Sequence, residues 1–298
     1  MTKMVSPKQL ADAIGVSESS LKRWADDGLL AVHRTAGGHR RIPVPEAVRF
    51  VRHMGMPVVH PEQLGLERAP LDGADLTDPA KADAAFHEAI EKGDVATVRG
   101  IVQSLFLSGW SVAQIADGPI RMSMMRVGEL WKHAEWGIVV EHRATDLCLQ
   151  CLSLLRTMLP GRREGAPLAV GSAGDGDPYM LPSLAAAVSL AEVGFNEVNL
   201  GPATPAGVLA NAVRHYRPSV VWLSLSHLAE GKKLMSDLRI VADAARENGA
   251  AVVVGGKATS TWAPAQVPGV HLARSMSELA AFARGHCAAQ LQGDARPQ

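Results

Sequence analysis

No stretch of the 298 residues approaches about 18 consecutive apolar side chains, so no membrane-spanning helix is expected. The opening Met1-Thr2-Lys3-Met4 lacks the apolar core of a secretory signal, and three cysteines are too few for a disulfide framework. Both absences point to the cytoplasm. The phosphate loop G-x-x-x-x-G-K-[ST] is missing, and Gly171, Gly174 and Gly176 do not make G-x-G-x-x-G. No serine carries a local nucleophile signature, so an enzyme is not expected. Net charge is also absent, with 30 basic against 30 acidic side chains, which on its face argues against a nucleic-acid binder.

That neutrality conceals an uneven distribution. Residues 1–55 carry nine Lys/Arg against five Asp/Glu, and the rest of the chain carries 21 against 25. A small basic module joined to a mildly acidic body has the charge layout of a DNA-contacting domain attached to a sensor. With 47% hydrophobic and 20% charged residues, the chain has the composition of folded domains. Its length implies two or three of them.

The first segment reads as helix–turn–helix. Ser6 is a candidate N-cap with Pro7 behind it, Leu10, Ala11 and Ile14 fall at helical spacing, and Gly15 ends the helix. Ser17 caps a second helix that turns Leu21 and Trp24 inward and ends at Gly28. Two short strands around Gly37-Gly38 then make a hairpin wing, and a helix follows over residues 46–53. Residues 56–78, rich in Pro and Gly, read as a linker. A helical bundle is expected over 79–160, in pieces 80–92, 95–107, 112–116, 119–132 and 137–158. From 166 to 292, strands at 168–172, 197–200, 219–225, 250–255 and 269–272 alternate with helices, the pattern of a doubly wound parallel sheet. The fold class is therefore multi-domain: α-helical winged helix–turn–helix, four-helix bundle, then α/β sheet. A ligand of such a sheet sits at the carboxyl ends of its strands.

In the first module, Lys22, Arg23, Arg34, His39, Arg40 and Arg41 fall where a recognition helix and wing would meet double-stranded DNA. The same residues also fit a solvated basic face. The run Thr35-Ala36-Gly37-Gly38-His39-Arg40-Arg41-Ile42 resembles the wing of the MerR-type DNA-binding domain.

In the bundle, Trp131 ends one helix, while Glu141 and His142 lie in the next. Taken alone, a Trp is more often core and a Glu-His pair more often surface. A Trp followed by nine residues and Glu-His, upstream of a doubly wound domain, resembles the cobalamin-binding bundle of light-responsive MerR-type repressors of the CarH/LitR kind. The resemblance spans nearly the whole chain. It implies that Trp131 caps the upper face of adenosylcobalamin, that Glu141 assists binding, and that His142 ligates the metal after photolysis. A Gly usual just after the Trp is Ala134 here.

The last segment resembles a cobalamin-binding domain in Leu200-Gly201-Pro202-Ala203-Thr204-Pro205, in Ser224-Leu225-Ser226 and in Gly255-Gly256. Ser224, Ser226, Gly255 and Gly256 are thereby implied near the cofactor's nucleotide tail. The lower-ligand motif, an acid, any residue, His, any two, then Gly, falls on 175–180. Asp175 keeps the acid, but Asp177 replaces the His and Met180 the Gly. A carboxylate differs from imidazole in charge and ligand strength. Three outcomes stay open: cobalamin held without that ligand, another tetrapyrrole such as haem or a bilin, or no cofactor. His227 is a candidate replacement ligand, although a structural role suits it as well. Cys148 and Cys151 make C-x-x-C without a partner pair and read as packing.

The expectation is a DNA-binding transcriptional regulator acting as a dimer or tetramer, with cobalamin or a related tetrapyrrole as its signal and oligomer change as its output. A cofactor-free regulator is the alternative, followed by a corrinoid methyl carrier.

Overall fold

The computed structural model describes residues 3–69, 78–130, 135–227, 231–260 and 267–294. In the N-terminal module, helix α1 (Pro7–Ile14) opens with a capping box in which Ser6 Oγ accepts from Gln9 N and Gln9 Oε1 accepts from Ser6 N. Gly15, at φ 70°, takes the left-handed conformation that ends it. Helix α2 (Glu18–Asp26) is capped in turn by Ser17. Strands β1 (Met4–Val5), β2 (His33–Arg34) and β3 (Arg40–Pro43) make an antiparallel sheet in the order β1-β3-β2. β1 is too short to show a period and was not expected. Helix α3 (Val44–Met54) places Phe50 and Val51 in a core with Leu10, Leu21 and Ile42.

The stretch expected as a linker is partly built into the fold. Val59 and His60 donate their N–H groups to Ala13 O at 2.8 and 3.1 Å, and a 3₁₀ turn at Pro61–Leu64 follows. Leu64 and Leu66 are buried, and Glu67 N donates to Gln103 Oε1 at 2.7 Å. Pro and Gly break the period here, but two leucines suffice to anchor the segment. Residues 70–77 of that stretch lie outside the described residues.

Helices α4 (Pro79–Lys92) and α5 (Val95–Leu107) begin on capping aspartates, Asp78 and Asp94. Helix α6 (Val112–Ile115) follows, then a π turn (Ala116–Ile120) in which Gly118 is non-helical and Pro119 forbids a continuous helix. Helices α7 (Arg121–Leu130) and α8 (Glu135–Met158) complete the helical region. The chain divides into two compact units: residues up to Ser111 with Gly118–Gly161, and Val112–Asp117 with the residues from Arg162 onward. Helix α6, expected in the bundle, thus belongs with the sheet. Val112 N donates to Glu192 Oε2 at 2.7 Å, and the Asp117 carboxylate accepts from Met276 N and Ser277 N at 2.8 and 2.9 Å.

The second unit holds five parallel strands, β4 (Leu168–Ala173), β5 (Asn196–Asn199), β6 (Val220–Ser224), β7 (Ala251–Gly255) and β8 (Val270–Leu272), in the order β5-β4-β6-β7-β8. Helices α9 (Met180–Glu192), α10 (Ala206–Tyr216), α11 (Gly231–Glu247) and α12 (Met276–Asp294) connect or follow them. Alternation along each strand feeds two cores. Val170, Val221 and Val254 pack with α10 and α11, while Ala169, Trp222 and Val253 pack with α9 and α12. Strand order reverses at β4, so the crevice between β4 and β6 is the topological switch point.

Candidate functional site

The basic module presents two kinds of cation. Lys22 and Arg23 are exposed on α2, with Lys22 paired to Glu18 one turn back at 3.0 Å. Arg34, His39 and Arg41 are exposed on the wing, and their side chains have no polar partner among the described residues. Arg40 differs. Its Nη2 lies 2.6 Å from Asp26 Oδ1, its Nη1 donates to Lys22 O at 3.3 Å, and its side chain is only 21% exposed. Expected as a DNA contact, Arg40 is spent on tying the wing to the end of α2. Arg52, which the sequence reading passed over, stacks over Phe106 at 3.7 Å and donates to the carbonyls of Phe106 and Trp110, the latter at 2.8 Å. It fastens α3 to the end of α5.

In the bundle, Trp131 lies outside the described residues. Glu141 is half-buried and accepts from Thr145 Oγ1 at 3.1 Å. The His142 side chain is 75% exposed, with Nδ1 at 2.8 Å from Ile138 O and 3.3 Å from Glu141 Oε2. Both neighbours are acceptors, so in the neutral ring the proton sits on Nδ1 and Nε2 is the nitrogen left to accept. A metal requires a ring nitrogen in that state. Trp136, Ile138 and Val139 are also exposed close by on α8, which the helical period did not foretell. Among the described residues no group of three His, Cys, Asp or Glu could hold a bare metal ion. A metal at His142 would have to arrive with most of its donors already supplied. Burial pushes the Cys148 thiol up and Cys151 up to about 12, so both remain protonated packing residues.

At the sheet crevice the expected geometry is corrected. Asp177 is only 1% exposed. Its Oδ1 accepts from Tyr179 N at 3.0 Å, and its Oδ2 from Ser226 N at 2.5 Å and His227 N at 3.1 Å. Its carbonyl accepts from Ala203 N at 2.7 Å. The side chain expected at a cofactor instead ties together the loops that follow β4, β5 and β6. Ser226 takes part through its backbone alone.

Gly255 and Gly256 do permit close approach, but to the protein itself. A Cβ on Gly255 would lie 2.7 Å from Ala273 O, and one on Gly256 would lie 2.3 Å from Leu225 O. Ser224 is buried with no partner for its Oγ among the described residues. Asp175 accepts from Lys233, which also reaches Asp237 at 3.3 Å. His227 is exposed and lines, with Asp175, Thr204, Leu225 and Asp237, a cavity of about 20 Å³. That is room for one water.

Residues 6–42 match the family model of the MerR family regulatory protein, and residues 83–156 match that of the B12 binding domain. The chain joins a MerR regulatory domain to a B12-binding domain. No curated protein matches it. The monomethylamine corrinoid protein of Methanosarcina barkeri superposes with a TM-score of 0.52 at 17% identity, covering 70% of this chain and 99% of that one. This likeness shows the fold alone. A cobalamin-binding protein from Desulfitobacterium hafniense DCB-2 aligns at 18% identity over 70% of this chain and 97% of that one, with a TM-score of 0.34. The methanol:cobalamin methyltransferase complex of Methanosarcina barkeri aligns at 17% identity over 81% and 95%, with a TM-score of 0.38.

The two parts of this MerR-and-B12-type chain fit a corrinoid unequally. His142, whose Nε2 has no partner among the described residues and lies on an exposed helix face, suits a metal carried in a macrocycle. The loop after β4 offers no imidazole, and its carboxylate is fully engaged. Ligation of cobalt by that loop does not fit these residues.

Proposed function

We propose that the chain is a DNA-binding transcriptional regulator, not an enzyme, whose sensor region binds a metallo-tetrapyrrole of the corrinoid kind and which acts in the cytoplasm as a homo-oligomer. The observation that carries this reading is a wing with unspent cations, Arg34 and Arg41, in the same chain as a B12-type domain whose α8 exposes an imidazole in its metal-binding tautomer. When bound, such a group would supply a metal centre whose ligation responds to light or redox state.

The chain's own residues do the rest. Arg34, His39 and Arg41 of the wing would meet phosphates, while Lys22 and Arg23 on α2 would enter or flank the major groove. Arg40 holds the wing at a fixed angle to α2. His142 would offer Nε2 to the metal, with Glu141 and Ile138 O placed to keep its proton on Nδ1. Trp131 would cover the macrocycle. One small module has limited affinity, so assembly into a dimer or tetramer would gain by avidity, and dismantling it would release DNA. Light is one signal that could drive the change.

The test is a DNA titration of the full chain across a salt series, using the double variant Arg34→Ala, Arg41→Ala. The slope of log K against log salt should fall in magnitude by about 2, one per lost phosphate contact. An unchanged slope overturns the DNA interface. In parallel, His142→Ala should change the absorption spectrum of the bound tetrapyrrole, and an unaltered spectrum overturns its role.

A further inference from the structure

Building on the reading that the chain binds DNA as a homo-oligomer, we infer that Arg52 and the segment 59–69 latch the winged-helix module onto helix α5 at two points. The latch makes the assembled protein read paired DNA sites at one spacing. The module has a core of its own, made by Leu10, Leu21, Ile42, Phe50 and Val51. A module with its own core on a Pro- and Gly-rich connection is ordinarily free to turn on its tether. Here the tether is taken up.

The first point lies along the middle of α5. The segment leaves α1 where Val59 N and His60 N donate to Ala13 O, and Leu64 and Leu66 are buried. It then lies against α5 at Gly100. A Cβ there would stand 2.7 Å from Arg68 O and 3.0 Å from Ala69 N, so only glycine lets the segment down onto the helix. On the same face, the buried Gln103 accepts from Glu67 N at 2.7 Å, and Arg99 Nη1 lies 3.4 Å from Glu67 Oε1.

The second point lies at the end of α5, where the carbonyls of a helix lack partners within it and its dipole is negative. Arg52, in the last turn of α3, donates to Phe106 O in that turn and to Trp110 O just beyond it, and stacks on the Phe106 ring at 3.7 Å. Gly100 and Phe106 are about 9 Å apart along the helix, so the module cannot turn about either point alone. Neither point uses the cations that would meet DNA: Lys22, Arg23, Arg34 and Arg41 are all exposed. Arg52, Gly100 and Gln103 are therefore positioning residues. A reader held at a fixed angle makes half-site spacing a geometric property of the assembly, whereas one on a loose tether accepts several spacings.

The experiment uses the full chain and a duplex selected from random-sequence DNA, its two halves located by footprinting. The segment between the halves is lengthened in single base pairs over one helical turn, and the complexes are sized by sedimentation. An insertion of about half a turn should weaken wild-type binding at least about tenfold, and an insertion of about one turn should restore part of it. Arg52→Ala removes the second point. Gly100→Ala lifts the segment from the first while leaving α5 a better helix former. Each variant should reduce the variation with spacing to about threefold or less and leave the affinity for a single half unchanged.

Either variant carries the test if the other fails to fold, and the wild-type profile stands without them. A wild-type affinity indifferent to spacing overturns the inference and leaves the DNA-binding reading intact. Variants as sensitive to spacing as the wild type overturn it too. If the chain binds no duplex, or binds one only as a monomer, the reading falls and the inference with it.

Discussion

The wing and the sheet crevice are both short loops rich in glycine and charge, yet they spend their charges differently. On the wing, the Arg34 and Arg41 side chains stand in solvent with no polar partner among the described residues, whereas Arg40 is turned inward onto Asp26. At the crevice, Asp177 is buried under three backbone donors, and Asp175 is taken by Lys233. A charged residue at the right place in a motif is available for a ligand only if the fold has not already used it. The wing keeps its cations unspent for an outside anion. The crevice has turned its carboxylate into structure.

The sharpest way to break this contrast is Asp177→Ala. Removing the carboxylate leaves the part-buried N–H groups of Tyr179, Ser226 and His227 without their acceptor, and an unmet buried donor costs about 1–3 kcal/mol. The sheet unit should lose about 1–3 kcal/mol of stability in urea unfolding. A loss under about 1 kcal/mol would mean that Asp177 does not tie the loops of the crevice together.

Arg52→Ala comes next. It removes the stacking on Phe106 and the bonds to the Phe106 and Trp110 carbonyls, for an expected loss of about 1–3 kcal/mol. Proteolysis between residues 56 and 78 should quicken, because the N-terminal module is then held more weakly. An unchanged cleavage rate would show that Arg52 does not fasten it.

On the wing, Arg41→Ala and Arg40→Ala should separate in kind. Arg41→Ala should lower the salt slope of DNA binding by about 1, whereas Arg40→Ala should lower the melting temperature of the module. Equal slopes for both variants would erase the distinction between spent and unspent cations.

The smallest effect concerns Asp83 in α4, whose carboxyl burial holds above its usual range although nearby Arg126 opposes this. The unfolded chain ionises first as pH rises. The folded protein therefore loses stability between the ordinary carboxylate pKa and the raised folded one. Asp83→Asn should flatten stability against pH across that window, and an unchanged profile would assign the dependence elsewhere.

Much of the architecture was legible because it rests on local signals. Ser6, Ser17 and Gly15 mark helix ends through caps that involve only near neighbours. Three of the parallel strands, β4, β6 and β7, announce themselves as short apolar runs. The strand β1, the docking of Leu64 and Leu66, and the transfer of α6 to the sheet unit depend on partners far away in sequence. At the site, position 177 was legible as a departure from a motif, but its role was not. Nothing near it in sequence shows that Ser226 and His227, some fifty residues on, will donate to it. The spent state of Arg40 was hidden in the same way, since Asp26 lies fourteen residues before it.

The central claim is that a sensor of tetrapyrroles controls a DNA-binding wing. It is tested most directly by measuring, at one salt concentration, the affinity of the full chain for a duplex selected from random-sequence DNA, with and without the bound tetrapyrrole. Coupling of about 1–3 kcal/mol between the two sites would change the DNA affinity by about 5-fold to 150-fold, and by linkage the tetrapyrrole affinity by the same factor. Identical DNA affinities for the free and loaded protein would contradict the account.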